Sequence, residues 1–203
     1  MALYFNRPQR TKQDVARVAL AEFRQLKQFT HLGTHHASGQ EWYVDEHNRE
    51  YVTSQRGTLV PRKVQRNLSP YDNPKKGSRG IEASDPDAPV GPAQIAAHVQ
   101  GPKGGKRAKK RSAYISTTKK SAENLTNAKG EKLGGEYGRV TIDLLEVPPS
   151  QIFDLTRAAN QTAWGLAGPS TPKERQALQD VIRTQEVLIL GPIPPDAIDE
   201  VHH

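Results

Sequence analysis

The 203-residue chain contains no cysteine. That excludes disulfides, cysteine nucleophiles and thiolate metal sites. It also suits a polypeptide that must unfold and refold in transit. Aromatic residues are scarce at 6%, and only 34% of residues are hydrophobic, which limits the chain to a modest core. No apolar run approaches the length of a membrane span, so no span is expected. Residues 1–7 lack the apolar centre of a cleavable signal peptide. What the chain has instead is 16 glycines and 15 prolines, a composition of many turns and short elements.

Charge is uneven. The net charge is +7, and between residues 103 and 120 stand Lys103, Lys106, Arg107, Lys109, Lys110, Arg111, Lys119 and Lys120 with no acid among them. Such a block suits a nucleic acid, an acidic protein, a phosphate-bearing ligand, or simply a solvated loop. With few aromatics interleaved, it fits phosphate contact better than base stacking. No RRM, KH or zinc pattern accompanies it.

Along the chain, residues 11–29 read as a helix. Thr11 and Asp14 begin it, and Val15, Val18, Ala19, Phe23 and Leu26 share one face. His31, His35 and His36 crowd what reads as a polar loop, with no further ligand to complete a metal site. Residues 41–44 and 50–53 form a hairpin pattern, and residues 58–60 a short strand stopped by Pro61. Residues 62–78 read as a linker, with a boundary near residue 70. This gives an N-terminal extension over residues 1–70, of unknown role, and a domain over 71–203.

In that domain, residues 94–99 are too few to type. His98 among them reads as a half-buried histidine bonded to backbone, with ligand contact as the alternative. Tyr114, Ser116 and Thr118 should face one side of a short strand, and Ile115 and Thr117 the other. Residues 121–133 are polar and read as partly helical. A strong strand follows over 137–145, with Asp143 expected on its solvent face, and a shorter one over 152–155. Residues 173–183 read as a helix capped by Thr171 and opened by Pro172. Residues 186–190 read as a core strand, and 198–201 as one more. The fold class expected is α+β, with several short strands.

Three features stand in order: Arg79-Gly80 before a short strand, the run Tyr114-Ile115-Ser116-Thr117-Thr118, and Glu186 directly before Val187-Leu188-Ile189. This order resembles the mono-ADP-ribosyltransferases of the arginine–serine–glutamate class. The class includes cholera-toxin-like enzymes and bacterial polymorphic and secretion-system toxin domains. The resemblance spans roughly residues 75–201. It implies a core of two packed, short-stranded β-sheets around an NAD cleft, with peripheral helices. It also implies NAD as co-substrate, no metal, and transfer of ADP-ribose to a macromolecule with release of nicotinamide. The same fold also serves NAD glycohydrolases; a non-catalytic, basic nucleic-acid-binding module is the reading from another class. By the same resemblance the chain would be an effector in interbacterial competition or against a host. It would be secreted or injected by a specialised system and act in the target-cell cytosol. The basic block would then meet an acidic protein, a nucleic acid or an immunity protein.

The resemblance also implies roles. Cleaving the bond between ribose and nicotinamide builds oxocarbenium-like charge on the ribose, and Glu186 would stabilise it. Ser116 would hold the glutamate, while Thr117 and Thr118 brace the strand. Tyr114 would pack beneath the site or stack on nicotinamide. Arg79 would hold a phosphate or ribose oxygen, with Arg62, Arg66 and Arg107 as the other candidates. Gly80 would let backbone approach the nicotinamide amide. Thr184 and Gln185 would sit at the acceptor. Thr184 stands where arginine-modifying members carry Glu and some others Gln, which points away from an arginine acceptor.

Overall fold

The computed structural model describes residues 28–69, 72, 80–100, 112–127, 129–166, 168 and 171–202. Among the described residues, two antiparallel sheets and three α-helices make up the frame, an α+β architecture. The first sheet joins β1 (Phe29–His35), β2 (Gln40–Asp45), β3 (Glu50–Thr53) and β4 (Leu59–Pro61) in chain order. The second contains β5 (Lys63–Asn67), β6 (Tyr114–Thr118), β7 (Arg139–Asp143), β8 (Ile152–Asp154), β9 (Glu186–Leu190) and β10 (Ile198–His202), in the spatial order β10-β7-β5-β6-β9-β8. The helices are α1 (Pro92–Gln100), α2 (Ala158–Ala163) and α3 (Pro172–Thr184).

The larger sheet is covered on both faces. On one side, Ile115, Val187 and Ile189 join Val64, Val140 and Ile142 against Val52 and Val60 of the smaller sheet. On the other, Tyr114 and Leu188 pack with Phe153, Leu155 and Trp164 against Ile95 of α1 and Val181 of α3. Burial on both faces explains why residues 187–190 are continuously apolar where a one-sided strand would alternate. Each fully buried Val, Leu or Ile in this block contributes about 1.5–3 kcal/mol.

Helix α3 forms where its sequence predicts. The Thr171 hydroxyl accepts from the Glu174 N–H, the Glu174 carboxylate accepts from the Thr171 N–H, and Pro172 occupies the first turn. Its stop is Gln185, in the left-handed region at φ 54°, so β9 can begin only at Glu186.

Several expectations are revised. Phe29 lies in a strand, so the helix read over 11–29 does not reach its expected end; residues 11–27 lie outside the described residues. His31 and His35 belong to β1 and not to a loop. Their partners are Glu41 for His31, and Ser38 and Glu146 for His35. The linker read over 62–78 contains β5, whose five residues all pair with β7. Residues 50–68 therefore share one core with residues beyond 140. β5 escapes a hydrophobic reading because Val64 is its one apolar residue; its ladder, not its pattern, makes it a strand.

Asp143 is buried, not on a solvent face. Arg62 Nε donates to both of its carboxylate oxygens at 2.9 Å, and Nη2 donates to Oδ2 at 2.6 Å. The same guanidinium reaches Glu50 at 3.2 Å and lies 5.0 Å from the Trp42 ring centre. This pair ties the smaller sheet to the larger. Breaking a buried pair from one side leaves an uncompensated charge. Arg62→Ala should therefore lower unfolding free energy by about 3–5 kcal/mol, and the double change Arg62→Leu with Asp143→Leu should cost less than the single one. Urea unfolding of the three proteins checks this; a single variant as stable as the parent contradicts it.

Candidate functional site

The site is built on the β6–β9 ladder. Tyr114 pairs with Leu190, Ser116 with Leu188 and Thr118 with Glu186. Directly paired residues share a face, so Ser116, Thr118 and Glu186 project to the same side, as alternation in β6 predicts. Ser116 and Glu186 are diagonal neighbours on adjacent strands, a separation long side chains can bridge. Glu186 is half-buried at the first position of β9.

Helix α1 supplies the next group. His98 is buried, and its Nε2 hydrogen-bonds Ser116 Oγ at 2.8 Å while Nδ1 hydrogen-bonds Ser112 Oγ at 2.7 Å. Ser112 in turn accepts from the Tyr114 N–H. Serine hydroxyls donate or accept, so this chain is satisfied with either neutral tautomer of the imidazole. The ring is held at both ends, and the Ser116 rotamer is fixed by it. Residues 94–99 are too few to type from sequence, and the two serine hydroxyls are partners of His98 that its sequence context does not suggest. The available signal was a histidine among apolar residues just upstream of the hydroxyl run.

Tyr114 lies beside this group on the same face of β6, its ring edge-on to that of His98 at 6.1 Å. It is buried, its oxygen accepts from the Gly91 N–H at 2.9 Å, and its ring meets Phe153 edge-on at 5.4 Å. Thr117 Oγ1 donates to the Val187 carbonyl, and Thr118 Oγ1 donates to the Thr184 carbonyl. Both threonines thus brace the strand pairing.

The arginine strand next to Ser116 is β5. Only Gln65 and Thr118 pair between β5 and β6. Beyond that point the Ser116 carbonyl is taken by Arg66 Nη1 at 3.0 Å, while Nη2 donates to Asp72 at 3.0 Å. Arg66 Nε and the neighbouring Asn67 Oδ1 are buried without a hydrogen-bond partner. Arg79 lies outside the described residues. Gly80 has φ +66°, and a Cβ there would stand 1.8 Å from the Ile193 carbonyl oxygen. Its lack of a side chain is used by the Ile81–Ile193 bridge.

Thr184 and Gln185 are not strand residues. Thr184 Oγ1 donates to the Asp180 carbonyl, and Gln185 Nε2 donates to the Ile182 carbonyl. Two-residue alternation therefore does not relate Thr184 to Glu186.

Of the basic block, Lys103, Lys106, Arg107, Lys109, Lys110 and Arg111 lie outside the described residues. Lys120 is exposed. Lys119 is turned inward: Nζ donates to Asp154 Oδ1 and to Thr156 Oγ1, each at 2.8 Å. Burial pushes its ammonium below the ordinary lysine value, against the pull of Asp154. Among the described residues no three His, Asp or Glu side chains are grouped to hold a metal ion, and no helix is long and apolar enough to cross a membrane.

Comparison with family models, with curated proteins and with solved structures found no match.

His98→Ala would leave the Ser112 and Ser116 hydroxyls without their ring partner. Urea unfolding should show a loss of about 1–3 kcal/mol, part of which His98→Gln recovers. An unchanged midpoint for the alanine variant contradicts the bonding described.

Proposed function

We propose that the chain cleaves NAD and transfers its ADP-ribose to a macromolecule, as an effector or toxin domain. The observation that supports this reading most is the succession of three neighbouring strands. β5 brings the Arg66 guanidinium onto the Ser116 carbonyl, β6 carries Ser116, and β9 begins with Glu186 on the Ser116 face. The resemblance implies an arginine, the hydroxyl run and a glutamate in that order along the chain, and Arg66, Ser116 and Glu186 keep that order on three neighbouring strands of one sheet. In this reading Arg66, on the first strand of the sheet, is the guanidinium for the dinucleotide, in place of Arg79.

The chemistry follows from the groups. The bond from ribose C1′ to the nicotinamide nitrogen breaks, and the electron pair leaves with nicotinamide. Positive charge develops on the ribose, and an ionised Glu186 beside it lowers that barrier. Ser116, itself fixed by His98, positions the carboxylate. Arg66 leaves β5 on the face opposite Gln65 and Thr118, and its Nη1 and Nη2 are bonded to the Ser116 carbonyl and to Asp72, so in this reading a phosphate or ribose oxygen takes the place of Asp72 on the planar fork. The acceptor's nucleophilic atom then bonds to C1′ and gives up its proton. No part of this route needs a metal.

One observation favours a second acceptor. The side chains of Thr184 and Gln185 are both bonded to α3 carbonyls. A site with those two groups engaged leaves water as a competent nucleophile, so NAD hydrolysis is the second reading. The basic segment before β6 is assigned, within the same proposal, to a nucleic-acid or acidic-protein target or an immunity protein. Delivery through a specialised secretion system into the target-cell cytosol completes the reading.

Glu186→Gln should lower NAD turnover by about 100-fold or more with an unchanged thermal midpoint. Arg66→Ala should weaken NAD binding more than Arg79→Ala. Full turnover by Glu186→Gln, measured by nicotinamide release, contradicts the assignment. Stronger dependence on Arg79 returns the phosphate role to that residue.

A further inference from the structure

We propose that Lys119 and Asp154 form a positioning pair that fixes Glu186 from the opposite face of the sheet, an inference that rests on the role given to Glu186 above. Lys119 follows Thr118, the direct partner of Glu186, and Asp154 is the direct partner of Val187. The two side chains therefore reach from β6 to β8 across the beginning of β9. They meet at 2.8 Å, and Asp154 is fully buried. The Asp154 carboxylate also accepts from the Thr156 N–H and hydroxyl, which fixes it to the turn after β8. That turn returns to the site, where the Leu155 N–H donates to the Glu186 carbonyl at 3.3 Å. From the other strand, the Lys119 N–H donates to the Gln185 carbonyl at 3.1 Å.

Glu186 thus begins its strand between two backbone contacts, and the lysine–aspartate pair holds the strands that provide them. Net stability does not explain such a pair, because a buried ion pair is often no better than an apolar pair of similar volume. What directed 2.8 Å bonds add over apolar packing is position. Arg157 Nε stands 3.8 Å from Asp154 Oδ2, an oxygen with no hydrogen bond. The carboxylate therefore keeps a cation nearby when Lys119 is replaced. The charged groups around the lysine are Asp154 and Arg157.

The test compares Lys119→Met, Lys119→Arg and Thr156→Val with the parent. It reads kcat and KM for NAD together with amide hydrogen exchange. Lys119→Met should lower kcat by about 10- to 100-fold while KM changes by less than about threefold, the signature of a misplaced group. Its amides at residues 186–188 should exchange about tenfold faster while those at 140–142 are unchanged. Lys119→Arg should restore most of both, and Thr156→Val should fall between. An unchanged kcat in Lys119→Met overturns the proposal, as does faster exchange spread evenly over the sheet. Should Lys119→Met not fold, Thr156→Val decides by the same two readouts. If the parent leaves NAD intact, the functional reading fails separately. The exchange pattern then decides the clamp: unchanged exchange at 186–188 overturns it, and a local increase supports it.

Discussion

The register of β6 on β9 is the constraint on which everything else depends. Five consecutive pairs put Ser116, Thr118 and Glu186 on one face and Ile115, Val187 and Ile189 on the other. A slip of one residue would exchange the faces, sending the glutamate into the apolar layer between the sheets. Two side chains guard against that slip. The Thr117 hydroxyl bonds the Val187 carbonyl and the Thr118 hydroxyl bonds the Thr184 carbonyl, so both threonines read the position of the neighbouring chain. The hydroxyl-rich run is therefore less a set of reactive groups than a registration device, with Ser116 as the member turned to the site.

Polar links do work that a larger core would do by packing. The chain has few large apolar residues and many turns, and its two sheets are joined through Arg62 and Asp143 as well as through Val52, Val60 and Val64. The site uses the same means. His98 holds Ser116, Tyr114 on the same face of β6 accepts from the Gly91 N–H just before α1, and Lys119 with Asp154 crosses β9 on the face opposite Glu186. Directed bonds between elements far apart in sequence define geometry more sharply than short strands alone.

How much of this was legible depended on whether the determining contact was local. Strands β6 and β9 and helix α3 were readable to within a residue because alternation, capping and β-branched runs are local signals. The polar strand β5 was not, since a run of Lys-Val-Gln-Arg-Asn becomes a strand only by pairing with β7, more than 70 residues away. The burial of Asp143 has an equally distant cause, the Arg62 guanidinium 81 positions earlier. Of the site, Ser116 and Glu186 are legible from their surroundings in sequence. Arg66 stood only among the alternatives, and the two serine partners of His98 emerged only with the packing of α1 on β6. Where β9 begins was not legible at Thr184 and Gln185, because the helix runs through Thr184 and Gln185 turns the chain through the left-handed region, a conformation uncommon for a side chain of that kind.

The account stands or falls on whether the strand-borne Ser116–Glu186 face acts on NAD. The most direct measurement is to incubate the purified protein with NAD labelled in the nicotinamide ring and quantify free nicotinamide, with and without a cell lysate as acceptor. The account predicts release of nicotinamide that accelerates when the lysate is present, with ADP-ribose recovered on a macromolecule. NAD recovered intact under both conditions would contradict it.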